Sequence, residues 1–398
     1  MPANLAYFLW FYIVIYMGNA VYGTFIPVYF TDIGFTPSQI GTLLSLGPLV
    51  AILAQPVWGA LSDRARSKNR ILQLMIVGSG ICMLLYPISD RFVYLLVMIC
   101  IFTFFQTSIF AVSDAITLET LDRDKRKAGT FGLIRMGGTI GFAAMSIGFG
   151  LIARDSIGSL FVVYSLIMAA AVLFTLRFPA VEGHQSSGRK MQVWVLFKNR
   201  RLVLFLAINF VLQVTLGYYY SFFPIYFKEM GGDNVLLGWS MVISSLSEIP
   251  FLLLSGWILS KVKVPYILLG AAAAMALRWY LFSVIDNPYW LLPAQALHGL
   301  AFIVLAVTMA TFINNEVPSE LKASGQTLNG LLSLGAARVI GSFAGGVATE
   351  SFGMRSVFQY SAVAVLVCIA VSAVVIRTML PGGGAAHDRP STGESGRS

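Results

Sequence analysis

Twelve apolar runs, each about twenty residues long, account for most of this 398-residue sequence. A helix needs about 20 apolar residues to cross the ~30 Å hydrocarbon core of a bilayer, and it satisfies its own backbone hydrogen bonds there. We therefore predict an all-α membrane protein with twelve transmembrane helices. The runs lie at about 5–30, 38–61, 71–88, 92–117, 130–152, 157–177, 202–227, 238–260, 264–284, 290–313, 325–347 and 356–377.

Composition places the chain in the same class. Hydrophobic residues make up 57% of it and charged residues 11%, whereas soluble domains carry about 25% charged residues. The three cysteines lie in apolar runs and form no CxxC motif, so we expect neither a disulfide framework nor a metal site. The first run is too long for a signal peptide.

Basic residues are unevenly distributed among the loops. Of the 27 Lys and Arg residues, 20 fall in one set of alternate loops and in the C-terminal tail, and four fall in the opposite set. Loops rich in Lys and Arg face the cytoplasm. The pattern predicts that both termini are cytoplasmic. The net charge of +9 is then explained by membrane topology and does not indicate a nucleic-acid partner.

A long polar interruption divides the chain into two similar halves, which share a repeat at an offset of 197. The matched pairs include Pro27 and Pro224, Gly34 and Gly231, and Gly41 and Gly238. Parallel six-helix repeats with a solute site between them form a known transporter plan. We predict an N-terminal six-helix half at 1–177, a cytoplasmic linker at 178–201, a C-terminal six-helix half at 202–378 and a disordered cytoplasmic tail at 379–398.

Ionisable residues inside the predicted spans are few. A charge at the bilayer centre costs about 2.5–3.5 kcal/mol on insertion scales, so each needs a partner, a wet cavity or a task. Asp114 and Arg135 lie near the ends of two helices that a short loop joins, which predicts a charge pair. The pair either binds solute or bridges the two helices structurally. The ionisable residues inside the predicted spans are Asp114, Arg135, Glu248, Arg278, His298 and Arg338.

A second group of ionisable residues lies in the C-terminal half. At a rise of 1.5 Å per residue, Glu248, Arg278 and His298 can reach one layer, and Arg338 can join them. A proton relay needs a carboxylate or an imidazole whose pKa responds to a neighbour, so we predict proton coupling by the first three. Nearby aromatic residues can line a cavity, although packing and interfacial anchoring are the favoured interpretation. They are Tyr218, Tyr219, Tyr220, Phe222 and Phe223.

The loop after the second helix contains a spaced motif, Gly59-x-Leu61-x-Asp63-Arg64. This pattern resembles the signature G-x-L-x-D-R/K-x-G of the major facilitator superfamily, with Arg66 in place of the last glycine. A carboxylate among arginines at a helix end can latch two halves in one state and release them in another. We therefore expect a cytoplasmic gate here; the alternative is an ordinary basic loop.

Further segments strengthen the resemblance. They are the run 25–63, Arg135 to Phe142, Arg278-Trp279, Gln295-Ala296-Leu297-His298-Gly299 and Lys322-Ala323-Ser324-Gly325-Gln326. Together they resemble the lactose/proton symporter group of the superfamily, and most closely its phenylpropionate-permease and nucleoside-symporter branch. The resemblance extends to about residue 378. It implies the major facilitator fold, with two pseudo-symmetric six-helix halves.

The resemblance also implies roles for single residues. Arg135 matches the arginine that binds sugar in the lactose symporter. Arg278 and His298 match members of its proton-coupling network, and Glu248 lies close to its helix-eight carboxylate.

Departures from the lactose symporter limit what can be carried over. Phe142 stands in place of the tryptophan that stacks on galactose, and Asp114 lies a turn away from the position of the helix-four glutamate. Ala301 replaces the carboxylate three residues after the histidine, so galactoside transport is not expected and the proton carrier is Glu248 or Asp114. Arg338 is foreign to the pattern and can contact an anionic substrate. The expected substrate-binding residues are Arg135, Asp114, Phe142 and Arg338.

We expect secondary active transport by alternating access, namely proton-coupled import of an aromatic acid, a nucleoside or a sugar-like solute. Two alternatives stay open: a proton-driven efflux pump for amphipathic compounds, and a membrane receptor or enzyme, for which the sequence offers no catalytic constellation. We expect a monomer in the cytoplasmic (inner) membrane, surrounded by lipid. No cofactor besides the coupling proton and no nucleic-acid partner is expected.

Overall fold

The structure, a computed structural model, describes residues 3–123, 129–182, 196–318 and 321–379. Within these ranges twelve helical spans form one bundle, and no strand occurs. They are α1 (Ala3–Asp32), α2 (Pro37–Arg64), α3 (Lys68–Leu85), α4 (Phe92–Gln106 and Ile109–Arg123), α5 (Gly129–Ile152), α6 (Ser159–Thr175), α7 (Arg200–Glu229), α8 (Asn234–Leu246 and Ile249–Lys261), α9 (Val264–Val284), α10 (Pro288–Gln295 and Val304–Glu316), α11 (Lys322–Gly330 and Ala337–Phe352) and α12 (Met354–Met379).

The predicted all-α class is confirmed. Eleven spans in the described part of the chain are long and apolar enough to cross a membrane, and α6 is a shorter apolar helix. Residues 183–195 of the predicted linker and 380–398 of the predicted tail lie outside the described residues. The boundaries of the two halves stay a prediction.

Four spans are interrupted, which their continuous apolar runs did not predict. The helix is broken in α4 and α8, and wider π-helical turns interrupt α10 at Gly299–Ile303 and α11 at Leu331–Ala336. Turns of this kind are frequent at functional sites. At Gly299 the turn packs closely against the break in α8, because a Cβ there would overlap the backbone of Ser247. The Gly299 amide donates to the Ser247 hydroxyl at 2.8 Å.

The internal repeat has a counterpart in the backbone. Gly34 after α1 and Gly231 after α7 both have φ of +88°, a left-handed conformation that favours glycine. The same turn therefore follows the first helix of each predicted half.

The two halves meet closely at one end of the bundle, which we call the distal end: it carries the α1–α2 and α7–α8 turns and lies opposite the chain termini. There α2 crosses α11, and α8 crosses α5. A Cβ at Gly41 would lie 2.5 Å from the Ser342 carbonyl oxygen, and a Cβ at Gly238 would overlap the Ser146 carbonyl oxygen. Gly41 and Gly238 are a matched pair of the repeat, so the two crossings are equivalent.

Polar contacts reinforce the distal end. The Asn234 side chain donates to the Ala153 carbonyl oxygen at 2.8 Å, and the Ser38 amide donates to Glu350 at 3.1 Å. An exposed ion pair, Arg154 with Asp233 at 3.6 Å, adds little because solvent screens it. The structure therefore represents a state in which the halves are joined at this end.

Candidate functional site

A cavity of about 460 Å³ lies between the halves. This volume falls within the range of small-molecule sites, which are mostly apolar with a few polar anchors. Residues of both halves form its wall. They include Tyr22, Gln106 and Phe142 from one half and Tyr219, Tyr220 and Arg338 from the other.

Arg338 is the one formally charged side chain among the residues that line this cavity in the described chain. Its guanidinium carbon lies 4.5 Å from the centre of the Tyr220 ring, within cation–π range. Its Nε is buried and has no hydrogen-bond partner, and no carboxylate of the described residues forms an ion pair with it. One turn further along α11, the hydroxyls of Ser342 and Ser221 are 2.7 Å apart on the same wall.

His298 lies between Arg278 and Glu248, the other two residues predicted to couple protons. Its Nδ1 lies 3.0 Å from Arg278, and its Nε2 lies 3.3 Å from the Tyr220 hydroxyl and 3.6 Å from Glu248 Oε1. A guanidinium only donates hydrogen bonds, so Nδ1 accepts here and carries no proton. The imidazole is therefore neutral in this arrangement, and its Nε2 proton faces Glu248 and Tyr220.

Arg278 is fully buried, and neutral groups hold it. It donates to the Gln295 side-chain oxygen and lies 4.1 Å from the centre of the Tyr219 ring. The same Gln295 oxygen accepts hydrogen bonds from the Tyr219 hydroxyl at 3.2 Å and the Ser244 hydroxyl at 3.0 Å. The guanidinium thus stays in place without a direct carboxylate partner among the described residues and fixes the orientation of His298.

The predicted pair of Asp114 and Arg135 is confirmed as a contact. Arg135 donates to Asp114 Oδ2 at 2.9 Å, and the Tyr12 hydroxyl donates to Asp114 Oδ1 at 2.5 Å. Neither member lines the cavity, whereas Phe142, about two helical turns along α5 from Arg135, does. The side chain of Arg135 is 48% exposed. The structure therefore divides the expected substrate-binding residues between two levels of the bundle.

The predicted gate motif ends α2. The last turn and a half of α2, at the end opposite the distal end, contains Gly59, Leu61, Asp63 and Arg64. Asp63 forms no ion pair within the described part of the chain, while a neighbouring link joins Lys68 to Glu119 at 3.2 Å. A gating role for this motif stays a prediction.

The sequence offered cavity lining for Tyr219 and Tyr220 only as the less favoured alternative, and both line the cavity. It gave no role to the contact residues Tyr12 and Gln295. One signal was available for Gln295, because it precedes His298 by three positions and residues so spaced share a helix face. Nothing in a run of aromatic residues indicates which ring reaches a charge across the bundle.

Comparison with known proteins settles the family. Residues 4–360 match the family model described as MFS_1 like family. The chain belongs to this family. It is similar to the uncharacterized transporter YwbF of Bacillus subtilis (strain 168), with 23% identity over 339 residues that cover 84% of each chain. It is also similar to the maltose permease of Geobacillus stearothermophilus, with 22% identity over 365 residues, 91% of this chain and 92% of the permease.

A solved structure supports the fold of this MFS_1 like protein. The crystal structure of the nucleoside transporter NupG matches it with a TM-score of 0.86 at 19% identity, over 94% of this chain and 99% of that chain. The expected major facilitator fold is confirmed. The protein is thus a multi-pass membrane transporter rather than an enzyme.

Proposed function

We propose that this transporter imports a small organic solute together with a proton, across the cytoplasmic membrane and with both termini in the cytoplasm. One observation carries the proposal: the Glu248 carboxyl group lies beside His298, which in turn contacts Tyr220 in the cavity wall. A group that can change its charge is thereby connected to the place where a solute would bind. The names of two relatives, a maltose permease and a nucleoside transporter, support an organic solute.

Proton coupling in this proposal depends on Glu248. Taking up a proton removes a negative charge 3.6 Å from the imidazole of His298. Arg278 holds Nδ1 of that imidazole, so any change of charge acts through Nε2 and the Tyr220 hydroxyl. The neutral imidazole and the fixed guanidinium position the relay, and the carboxyl group carries the proton.

Solute binding is proposed for Arg135, Asp114, Phe142 and Arg338. Arg135 offers several directed donors and cannot lose its proton. It donates to Asp114 Oδ2 at 2.9 Å, and the Tyr12 hydroxyl donates to the other oxygen of that carboxylate at 2.5 Å. During the cycle the distal end would open while the Asp63 motif closes the opposite end, so that the cavity faces one side at a time.

The decisive experiment compares Glu248→Gln with the parent in proteoliposomes. The variant should bind solute and exchange it across the membrane, but it should not accumulate solute when a pH gradient is imposed. Asp155→Asn, at an exposed carboxylate outside the cavity, is the matched control and should accumulate solute normally. Uphill accumulation by Glu248→Gln that still follows the pH gradient would refute the assignment.

The same vesicles test the efflux alternative. Proton-driven import predicts that solute moves with the proton, whereas efflux predicts that an amphipathic compound moves against it. With either orientation of the pH gradient, import should therefore accumulate solute on the alkaline side of the membrane, and efflux should accumulate it on the acidic side. Counter-movement of solute and proton would replace import by efflux.

A further inference from the structure

The charged side chains within the bundle do not balance. Asp114 pairs with Arg135, and Glu248 lies closest to His298, with Arg278 on the other side of that imidazole. His298 is neutral because its Nδ1 accepts a hydrogen bond. Arg338 is then left over, because the six predicted ionisable residues of the spans include three guanidinium groups and only two carboxylates.

An uncompensated charge in a low-dielectric interior is costly, and a buried cation normally finds an anion or a cavity that receives one. Arg338 borders such a cavity. Its Nε is buried without a hydrogen-bond partner, although its guanidinium is held over the Tyr220 ring at 4.5 Å. Within the described chain, therefore, the cation is positioned but its hydrogen-bonding capacity is unused.

We propose that the solute is a small organic monoanion whose carboxylate binds Arg338, an inference that rests on the transport function proposed above. A planar guanidinium forms two parallel hydrogen bonds with a carboxylate, which suits this position better than a neutral hydroxyl group would. The hydroxyls of Ser221 and Ser342 lie on the same wall; one donates to the other, and the second can donate to the solute. The apolar body of the solute would contact the aromatic wall formed by Phe142, Tyr219 and Phe223.

Tyr220 connects this anion subsite to the proton carrier. The face of its ring lies against Arg338, while its hydroxyl contacts His298 Nε2 at 3.3 Å. A proton on Glu248 increases the excess positive charge of the cluster and favours a bound anion, and a bound anion favours the proton in return. One proton that enters with one monoanion moves no net charge across the membrane.

The first test measures binding to the purified full-length protein with matched acids and amides: benzoate and benzamide, nicotinate and nicotinamide, phenylpropionate and phenylpropionamide. An acid should bind about ten- to a hundredfold more tightly than its amide, the usual range for a hydrogen bond to a charged group. Arg338→Gln should abolish that difference and Arg338→Lys should retain part of it. Acids that bind no better than their amides, or do not bind at all, overturn the proposal.

Two controls separate a lost subsite from a damaged fold. Arg355→Gln removes an exposed arginine that is paired with Asp286 outside the cavity, and it should leave the preference for acids unchanged. Arg338→Gln should not lower the melting temperature of the solute-free protein, because it removes a charge without an ion-pair partner among the described residues. Tyr220→Phe keeps the ring beneath Arg338 but loses the hydroxyl at His298, so it should bind acids within a few-fold of the parent and accumulate them poorly.

The second test concerns charge movement. Uptake of the preferred acid in proteoliposomes should follow a pH gradient and should not respond to a potassium diffusion potential set with valinomycin. A different result would be pH-driven accumulation of a neutral solute, uridine or maltose, with one positive charge moved per cycle. It would refute the proposal that the solute is a monoanion and would leave proton-coupled import intact. Binding of an acid at Arg338 without pH-driven accumulation would leave the subsite intact and overturn the proton coupling.

Discussion

The contact between Asp114 and Arg135 has two interpretations that a double-mutant cycle can separate. A structural bridge would be dry and strongly coupled, whereas a solute-binding pair that solvent can reach would be weakly coupled. The cycle uses Arg135→Gln, Asp114→Asn and the double variant, with unfolding of the purified protein in detergent as the assay. The cycle isolates the pairwise free energy because each single replacement removes the ion pair, and effects on size that are not shared by the pair cancel in the double variant.

The geometry predicts weak coupling. A single hydrogen bond of 2.9 Å joins the pair, and the side chains of Arg135 and Asp114 are 48% and 22% exposed. Exposure of this order screens the charges, so we expect a coupling free energy of about 0.5–1.5 kcal/mol. Breaking a fully buried ion pair would instead cost about 3–5 kcal/mol. Asp114 also keeps the hydrogen bond from Tyr12 when Arg135 is replaced, which limits the loss of stability.

The two single variants should differ in binding although they differ little in stability. Arg135→Gln should lower solute affinity about ten- to a hundredfold, since it removes a charged donor. Asp114→Asn should lower it less, because the guanidinium remains. The pair of Arg355 and Asp286 serves as a control cycle at an exposed site and should affect neither binding nor accumulation. Coupling above about 3 kcal/mol, combined with unchanged binding in Arg135→Gln, would identify the pair as a structural bridge.

Two further predictions concern the change of state. Gly238→Val should disfavour the joined distal end, because a side chain there overlaps the Ser146 carbonyl oxygen; a cysteine at Phe142 should then react faster with a reagent added on the distal side. Gly256→Val, in the same span where a Cβ meets nothing within 4 Å, should leave that rate unchanged, and equal rates in the two variants would contradict the reasoning. Asp63→Asn should slow the interconversion of the two states without lowering the melting temperature, and unchanged transport kinetics would reduce the motif to a basic loop.

Much of this architecture follows from local sequence. Apolar runs of sufficient length determine the helices, since a backbone in lipid must satisfy its own hydrogen bonds. Depth along two adjacent helices was enough to predict the contact of Asp114 with Arg135, because a short loop leaves few other arrangements. The matched Gly34 and Gly231 indicated a repeat, and their shared left-handed conformation shows why glycine stands at both.

Only the tertiary structure decided which side chains meet across the bundle. The faces of a membrane helix that contact lipid and protein are equally apolar, so hydropathy does not indicate how helices turn toward one another. Hydropathy therefore could not show that Arg338 lines the cavity while Arg135 lies at another level of the bundle. For the same reason Tyr220, one of many aromatic residues in the sequence, links the cation of the cavity to His298 and Glu248.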